Sequence, residues 1–193
     1  MIKGNNEMKG ECNMNKIVAK IVGLVVMLVC SAGVIVAAAA TKDNSGKLFE
    51  GDPVEISGMD TETYQVTALE QSKDGNYIVH AFGVGYNESA TIELAIVFDP
   101  AAETILKMKV VEQNETNGLG SKIADDEFVS QFDEMAAPVA VGNLIPKNPK
   151  NPDEETGLQA TSFDGVTAAT ISSKGVARII NNAYFFLHDQ VIG

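Results

Sequence analysis

Tryptophan is absent from the 193 residues, histidine and cysteine occur twice each, and basic residues number 14 against 26 acidic ones. Each shortage argues against a class of function. A net charge of −12 is a poor electrostatic match for nucleic acid, whose phosphates call for a basic surface. Two histidines, His80 within a strand pattern and His188 near the end of the last helix, offer little material for a catalytic triad or a histidine-rich metal site, and both suit structural roles. Cys12 and Cys30 lie before the soluble part of the chain. That part therefore has no disulfide, thiolate metal site or thiol nucleophile. Carboxylate pairs such as Asp125-Asp126 and Glu154-Glu155 are plentiful, but on so acidic a chain they read as solvated surface. No residue stands out as an acid, a base, a nucleophile or a metal ligand.

What the chain does have is a globular composition, 45% hydrophobic and 21% charged, and one long apolar run. From Ile21 to Ala40 no residue is charged, and a helix of about 20 residues spans about 30 Å, the thickness of a bilayer's hydrocarbon core. A cleaved secretory signal would use Ala37 to Ala40 as its cleavage site, but its apolar stretch should be roughly 7–15 residues. The length favours an uncleaved anchor. Lys3, Lys9, Lys16 and Lys20 all precede the span, so the positive-inside rule puts the N-terminus in the cytoplasm and the rest outside it. The first 40 residues hold four of the 14 basic and two of the 26 acidic residues, leaving ten against 24, or −14, for the remainder. The expected order is a cytoplasmic stub (1–20), a transmembrane anchor (21–40), a polar tether (41–60) and one extracytoplasmic domain (61–193).

Within that domain, Tyr64–Glu70, Tyr77–Tyr86, Thr91–Phe98 and Ile105–Val111 read as four β-strands in an antiparallel meander, with Asp74-Gly75 as a hairpin turn. A short helix carrying Phe128 and Phe132 follows a polar loop, and its acids, Asp125 to Glu127, suit a positive N-terminal end. Leu158–Phe163 is one more strand. Val176, Ile179, Ile180, Ala183, Leu187 and Val191 have the spacing of an amphipathic helix lying on a sheet. The fold class is α+β: a transmembrane helix, then a single domain with an antiparallel sheet packed by helices, and no internal repeat.

Two glycine-bearing stretches fail as nucleotide fingerprints. Gly83-Val-Gly85 lacks a third glycine and a following helix, and Gly118-Leu-Gly-Ser-Lys122 lacks the P-loop spacing. The segment Asp164-Gly-Val-Thr-Ala-Ala-Thr-Ile-Ser-Ser173 joins a strand to a helix. It is rich in hydroxyls, and free N–H groups at the helix start would favour a phosphate. Spacing alone favours a simpler reading, a helix start with Ser172 or Ser173 as N-cap.

The same segment resembles the Asp-x-x-Ser/Thr-Gly-Ala-Thr signature of flavoprotein subunits in which a flavin transferase joins FMN through its phosphate to the last threonine. About fifty residues upstream, Glu115-Thr-Asn-Gly-Leu-Gly120 is similar to the Glu-Thr-Pro-Gly-Leu-Gly loop of those subunits, which lies against the flavin ring. The resemblance is to the G subunit of the Rnf ion-translocating electron-transport complexes and to its relative, the C subunit of the sodium-pumping NADH:quinone reductase. It implies covalent FMN at Thr170, with Thr167 and Ala168 on the phosphate side and Thr116, Gly118, Leu119 and Gly120 on the ring side. It further implies a single-pass plasma-membrane protein that relays electrons within a ferredoxin:NAD⁺ oxidoreductase complex coupled to Na⁺ or H⁺ movement. Its partners would be other Rnf subunits, the transferase and the lipid bilayer. Asn117 stands where the family has proline, and Ala168 where it has glycine. A stand-alone flavinylated carrier and a cofactor-free tethered binding domain are the alternatives.

Overall fold

A computed structural model describes residues 49–193. The stub, the apolar span 21–40 and part of the expected tether lie outside the described residues. Among the described residues no helix is long and apolar enough to cross a membrane.

The sheet has six strands in chain order, all antiparallel to their neighbours: β1 (Asp52–Pro53), β2 (Val66–Gln71), β3 (Tyr77–Val84), β4 (Thr91–Phe98), β5 (Thr104–Glu112) and β6 (Met135–Ala136). The meander expected from the alternating runs is therefore present, with β4 at the expected bounds and β3 ending two residues before Tyr86. Tyr64 does not open β2. It ends a single helical turn, α1 (Thr61–Tyr64), and Gln65 follows in the left-handed region at φ 57°. Asp60 caps that turn, its carboxylate accepting from the Thr63 N–H at 3.1 Å, and the capped turn overrides the β-propensity of the local sequence. Part of the segment read as a tether joins the sheet: β1 pairs with Glu70 and Gln71, and Val54, Ile56 and Met59 pack against the core.

The β2–β3 turn closes with the Gly75 N–H on the Ser72 carbonyl at 2.9 Å, and Gly75 has φ 86°. Such a backbone costs glycine nothing. In β4, Ile92, Leu94, Ile96 and Phe98 face one side and are fully buried, while Ala95 and Val97 on the other side are nearly so. A central strand covered on both faces reads as a continuous apolar run, as Leu94–Phe98 does.

Short pieces precede the last helix. Gly120–Ala124 is a 3₁₀ turn, Asp126–Val129 a single α-turn and Ser130–Phe132 another 3₁₀ turn, in place of the one short helix expected. The strand expected over Leu158–Phe163 is reduced to Thr161–Ser162, parallel to Val139–Ala140. The long helix, here called the site helix, runs Thr170–Phe186 and continues as a π-helical turn over Leu187–Ile192. Val176, Ile179, Ile180, Ala183 and Leu187 are all buried as expected, and Val191 is partly so. It lies across β3 so closely that a Cβ on Gly175 would stand 2.7 Å from the Val84 carbonyl oxygen.

Polar bonds also hold the site helix, two sets of them in its C-terminal half and beyond. Asn181, 3% exposed, accepts from the Val139 N–H and donates to the Val139 carbonyl, both at 2.9 Å, and so takes the place of a strand partner. Near the C-terminus, the Tyr64 hydroxyl donates to Asp189 at 2.5 Å. Burial, and then that carboxylate, push the Tyr64 phenol well above its ordinary pKa.

Asn181→Ala leaves the N–H and carbonyl of fully buried Val139 without partners, and is expected to cost about 2–4 kcal/mol. The urea unfolding midpoint measures it; an unchanged midpoint would contradict this role for Asn181.

Candidate functional site

The two segments singled out in the sequence meet at Glu115. This carboxylate is 8% exposed. Its oxygens accept from the backbone N–H groups of Tyr86 and Asn87, each at 3.1 Å, and from the Ser172 hydroxyl at 2.5 Å. One side chain thereby joins the end of β3, the loop after β5 and the first turn of the site helix. A buried charge persists only where such partners compensate its lost hydration. Two glycines admit it: a Cβ on Gly85 would lie 2.6 Å from Glu115 Oε1, and one on Gly120 would lie 2.7 Å from Ser172 Oγ.

The loop that follows closes on itself. The N–H groups of Leu119 and Ser121 both reach the Thr116 carbonyl at 3.1 Å, and the Gly118 N–H reaches the Ser121 hydroxyl at 2.9 Å. Gly118 has φ 74°. Thr116, Asn117, Gly118 and Leu119 are exposed on the outside of this turn, and Gly120 is buried beneath it. An aromatic cluster ties the loop to the second segment: Phe128 and Phe132, just after the loop, pack against Phe163 in edge-on and tilted arrangements, at ring separations of 5.8 and 4.8 Å. Gln131 adds a pair of hydrogen bonds with the backbone of Asp164, at 2.9 and 3.2 Å.

From Asp164 the chain makes a tight turn into the helix. The Ala169 N–H bonds the Val166 carbonyl at 3.0 Å, and the Val166 N–H bonds the Ser173 hydroxyl at 2.9 Å. Ala168 sits in the left-handed region at φ 63°. The N-cap position belongs to Ala169, which has no side chain able to cap, and the helix begins at Thr170. This corrects the simpler reading of the sequence. Neither Ser172 nor Ser173 is the N-cap, because Ser172 is committed to Glu115, and Ser173 bonds Val166 and the Ala169 carbonyl. The helix start keeps first-turn N–H groups that no side chain satisfies. Thr167, Ala168 and Thr170 are exposed beside it.

The FMN-binding domain family matches residues 85–184. The chain belongs to that family. The matched span runs from Gly85, under Glu115, to Tyr184, and takes in both motifs, the phenylalanine cluster and nearly all of the site helix. Membership makes FMN the cofactor. The G subunit of the proton-translocating ferredoxin:NAD(+) oxidoreductase complex of Clostridium ljungdahlii is 31% identical over 116 residues, which are 60% of this chain and 55% of that protein. The chain thus spans about half the length of this curated relative. The crystal structure of the C subunit of the Na(+)-translocating NADH-quinone reductase of Parabacteroides distasonis matches with a TM-score of 0.48 at 24% identity, over 64% of this chain and 60% of that one.

Within the family's span, sequence reasoning quoted Glu115 as part of a motif but assigned no role to it or to Tyr86, and read Ser172 only as a candidate helix cap. Their part depends on contacts across 57 and 29 positions, which no local pattern reveals. Two surface cavities have volumes of about 280 and 350 Å³: one is lined by Tyr184, His188 and Asp189, and the other by Val84, Thr91 and Asn114, the first and last of these being next in the chain to Gly85 and Glu115. Neither is lined by Thr170, which is exposed at the helix start. His80 pairs with Glu70 at 3.4 Å, and His188 stacks on Tyr184 with ring centroids 4.4 Å apart.

Glu115→Gln turns an amide NH₂ toward groups that are themselves donors, and is expected to destabilise the domain by about 1–3 kcal/mol in chemical denaturation. Ala168→Gly, by contrast, relieves a left-handed alanine and should raise stability by about 1 kcal/mol in the same assay. A loss of stability on Ala168→Gly would show that the alanine methyl contributes more than its strained backbone costs.

Proposed function

We propose that this chain carries FMN joined through its phosphate to Thr170 and serves as an electron-transfer subunit of an Rnf-type ion-translocating complex. The observation that carries this reading is Thr170 itself, an exposed hydroxyl at the first position of a 17-residue helix whose N-cap residue offers no side-chain bond. A phosphate there would receive the unsatisfied first-turn N–H groups and the positive end of the helix dipole. The residues present therefore fit the group. Thr167 and Ala168 flank the phosphate side, and the turn at Ala168 presents backbone in place of a bulky side chain.

The ring side is supported by exposed apolar surface around the Glu115 junction. Val84 (46% exposed), Tyr86 (64%), Leu119 (45%) and Ile171 (51%) are each part of, or next in the chain to, a residue bonded to Glu115 or packed on it. Thr116, Gly118, Leu119 and Gly120 supply the loop beside them. An isoalloxazine ring is flat and mostly apolar, and such a rim would cover one of its faces while leaving the other open to redox partners. FMN supplies the redox chemistry when bound. The chain's residues bind it, orient it and set its surroundings.

The likeness to the clostridial G subunit supports other subunits of such a complex as partners, and the motif resemblance implies a flavin transferase for maturation and coupling to Na⁺ or H⁺. The apolar run 21–40 supports a single-pass plasma-membrane anchor with the FMN domain outside the cytoplasm. A covalent link suits that compartment, where a lost FMN would not be replaced.

Co-expression of the full chain with a flavin transferase is expected to give a fluorescent band after denaturing electrophoresis, and Thr170→Ala is expected to abolish it. A dark wild-type band would sink the covalent assignment and favour the cofactor-free tethered domain. Solubilised membranes should yield the chain together with other integral subunits; recovery of the flavinylated chain by itself would favour a stand-alone carrier.

A further inference from the structure

Thr170 lies at the start of a helix in which Lys174 is one turn on, and residues four apart share a helix face. Lys174 is partly buried, and its ammonium group donates to Asn143 Oδ1 at 2.6 Å. Among the described residues it has no carboxylate partner, although acids outnumber bases in this domain by more than two to one. A lysine held by a neutral amide keeps its charge uncompensated.

The position of Asn143 gives that charge a direction. Asn143 follows Val141 by two residues, and a Cβ on Gly165 would lie 3.0 Å from Val141 Cγ2 and 3.4 Å from Ser173. The loop that receives Lys174 is therefore the one packed against the Asp164–Ala169 turn. The turn, the helix start and the Lys174–Asn143 pair form one local cluster. Arg178, four residues further, is exposed and lies about 12 Å along the axis from Thr170.

We infer that Lys174 is the charge partner of the phosphate at Thr170, held in place by Asn143. This rests on the reading of Thr170 as the attachment residue. Lys174 is a positioning residue: it draws an anionic phosphate to the helix start and neutralises it there, and it neither forms nor breaks a bond. The helix dipole alone supplies only partial charges, and a full cation one turn away adds what the acidic surface withholds.

The test follows flavinylation of the purified full-length chain by a flavin transferase, using in-gel fluorescence and intact mass, for wild type, Lys174→Arg, Lys174→Gln, Lys174→Glu and Arg178→Gln. At saturating chain concentration, Lys174→Arg should stay within about twofold of wild type, and Lys174→Gln should be about three- to tenfold slower. Lys174→Glu should be slower still, and Arg178→Gln should match wild type. The deficit of Lys174→Gln should shrink as salt screens the wild-type charge. Urea midpoints of the variants separate this from misfolding: the rates should follow charge at position 174 while the midpoints remain alike. Equal rates for Lys174→Gln and wild type would overturn the inference. So would an equal loss in Arg178→Gln, which would mean that only net charge matters, or a deficit that vanishes at saturation, which would make Lys174 a docking contact for the transferase. No flavinylation of wild type would overturn the Thr170 reading and this one with it.

Discussion

The buried carboxylate of Glu115 is the constraint on which the site depends. Three segments far apart in sequence, the turn after β3, the loop after β5 and the first turn of the site helix, are joined through its hydrogen bonds. A carboxylate out of water is costly unless its oxygens are satisfied, so the donors from β3 and the site helix must converge on the loop together or not at all. The glycines at 85 and 120 are consequences of the same packing, since a methyl group at either would occupy the space of the carboxylate or of its serine partner.

This arrangement explains why the helix start is left uncapped. Ser172, in a position where a serine commonly serves a helix terminus, is turned inward to Glu115, and Ser173 is used to shape the preceding turn. What remains at the N-cap is an alanine. The local hydrogen bonds that would ordinarily quench the terminus have been redirected into the fold. The terminus is thereby free to meet an anion from outside, and the left-handed backbone at Ala168 brings the chain into it.

Thr170 is exposed and lines neither of the two surface cavities. Exposed Ile171 follows exposed Thr170 in the chain, and one cavity, lined by Val84 and Asn114, borders the Glu115 junction. A dissociable cofactor needs enclosure for affinity, whereas one tethered by a covalent bond needs only orientation and a partial cover.

Much of this was legible in the sequence, because period and punctuation are local. Alternating runs broken by Asp74-Gly75 and Asp99-Pro100 specify an antiparallel meander, and apolar residues from Val176 to Leu187 specify the buried face of the site helix. The two motifs and their order pointed to the family. The rest depended on contacts between distant segments. Tyr64 reads as strand but forms a turn, because Asp60 caps it and Asp189 takes its hydroxyl. The expected strand 158–163 has partners for only two residues, and the serines chosen as caps by spacing are claimed by groups 57 and 7 positions away. Periodicity and motif order are written in the chain itself. Which carboxylate is buried, which hydroxyl satisfies it and which helix end is left open are decided only when the tertiary structure brings competing hydrogen-bond partners together.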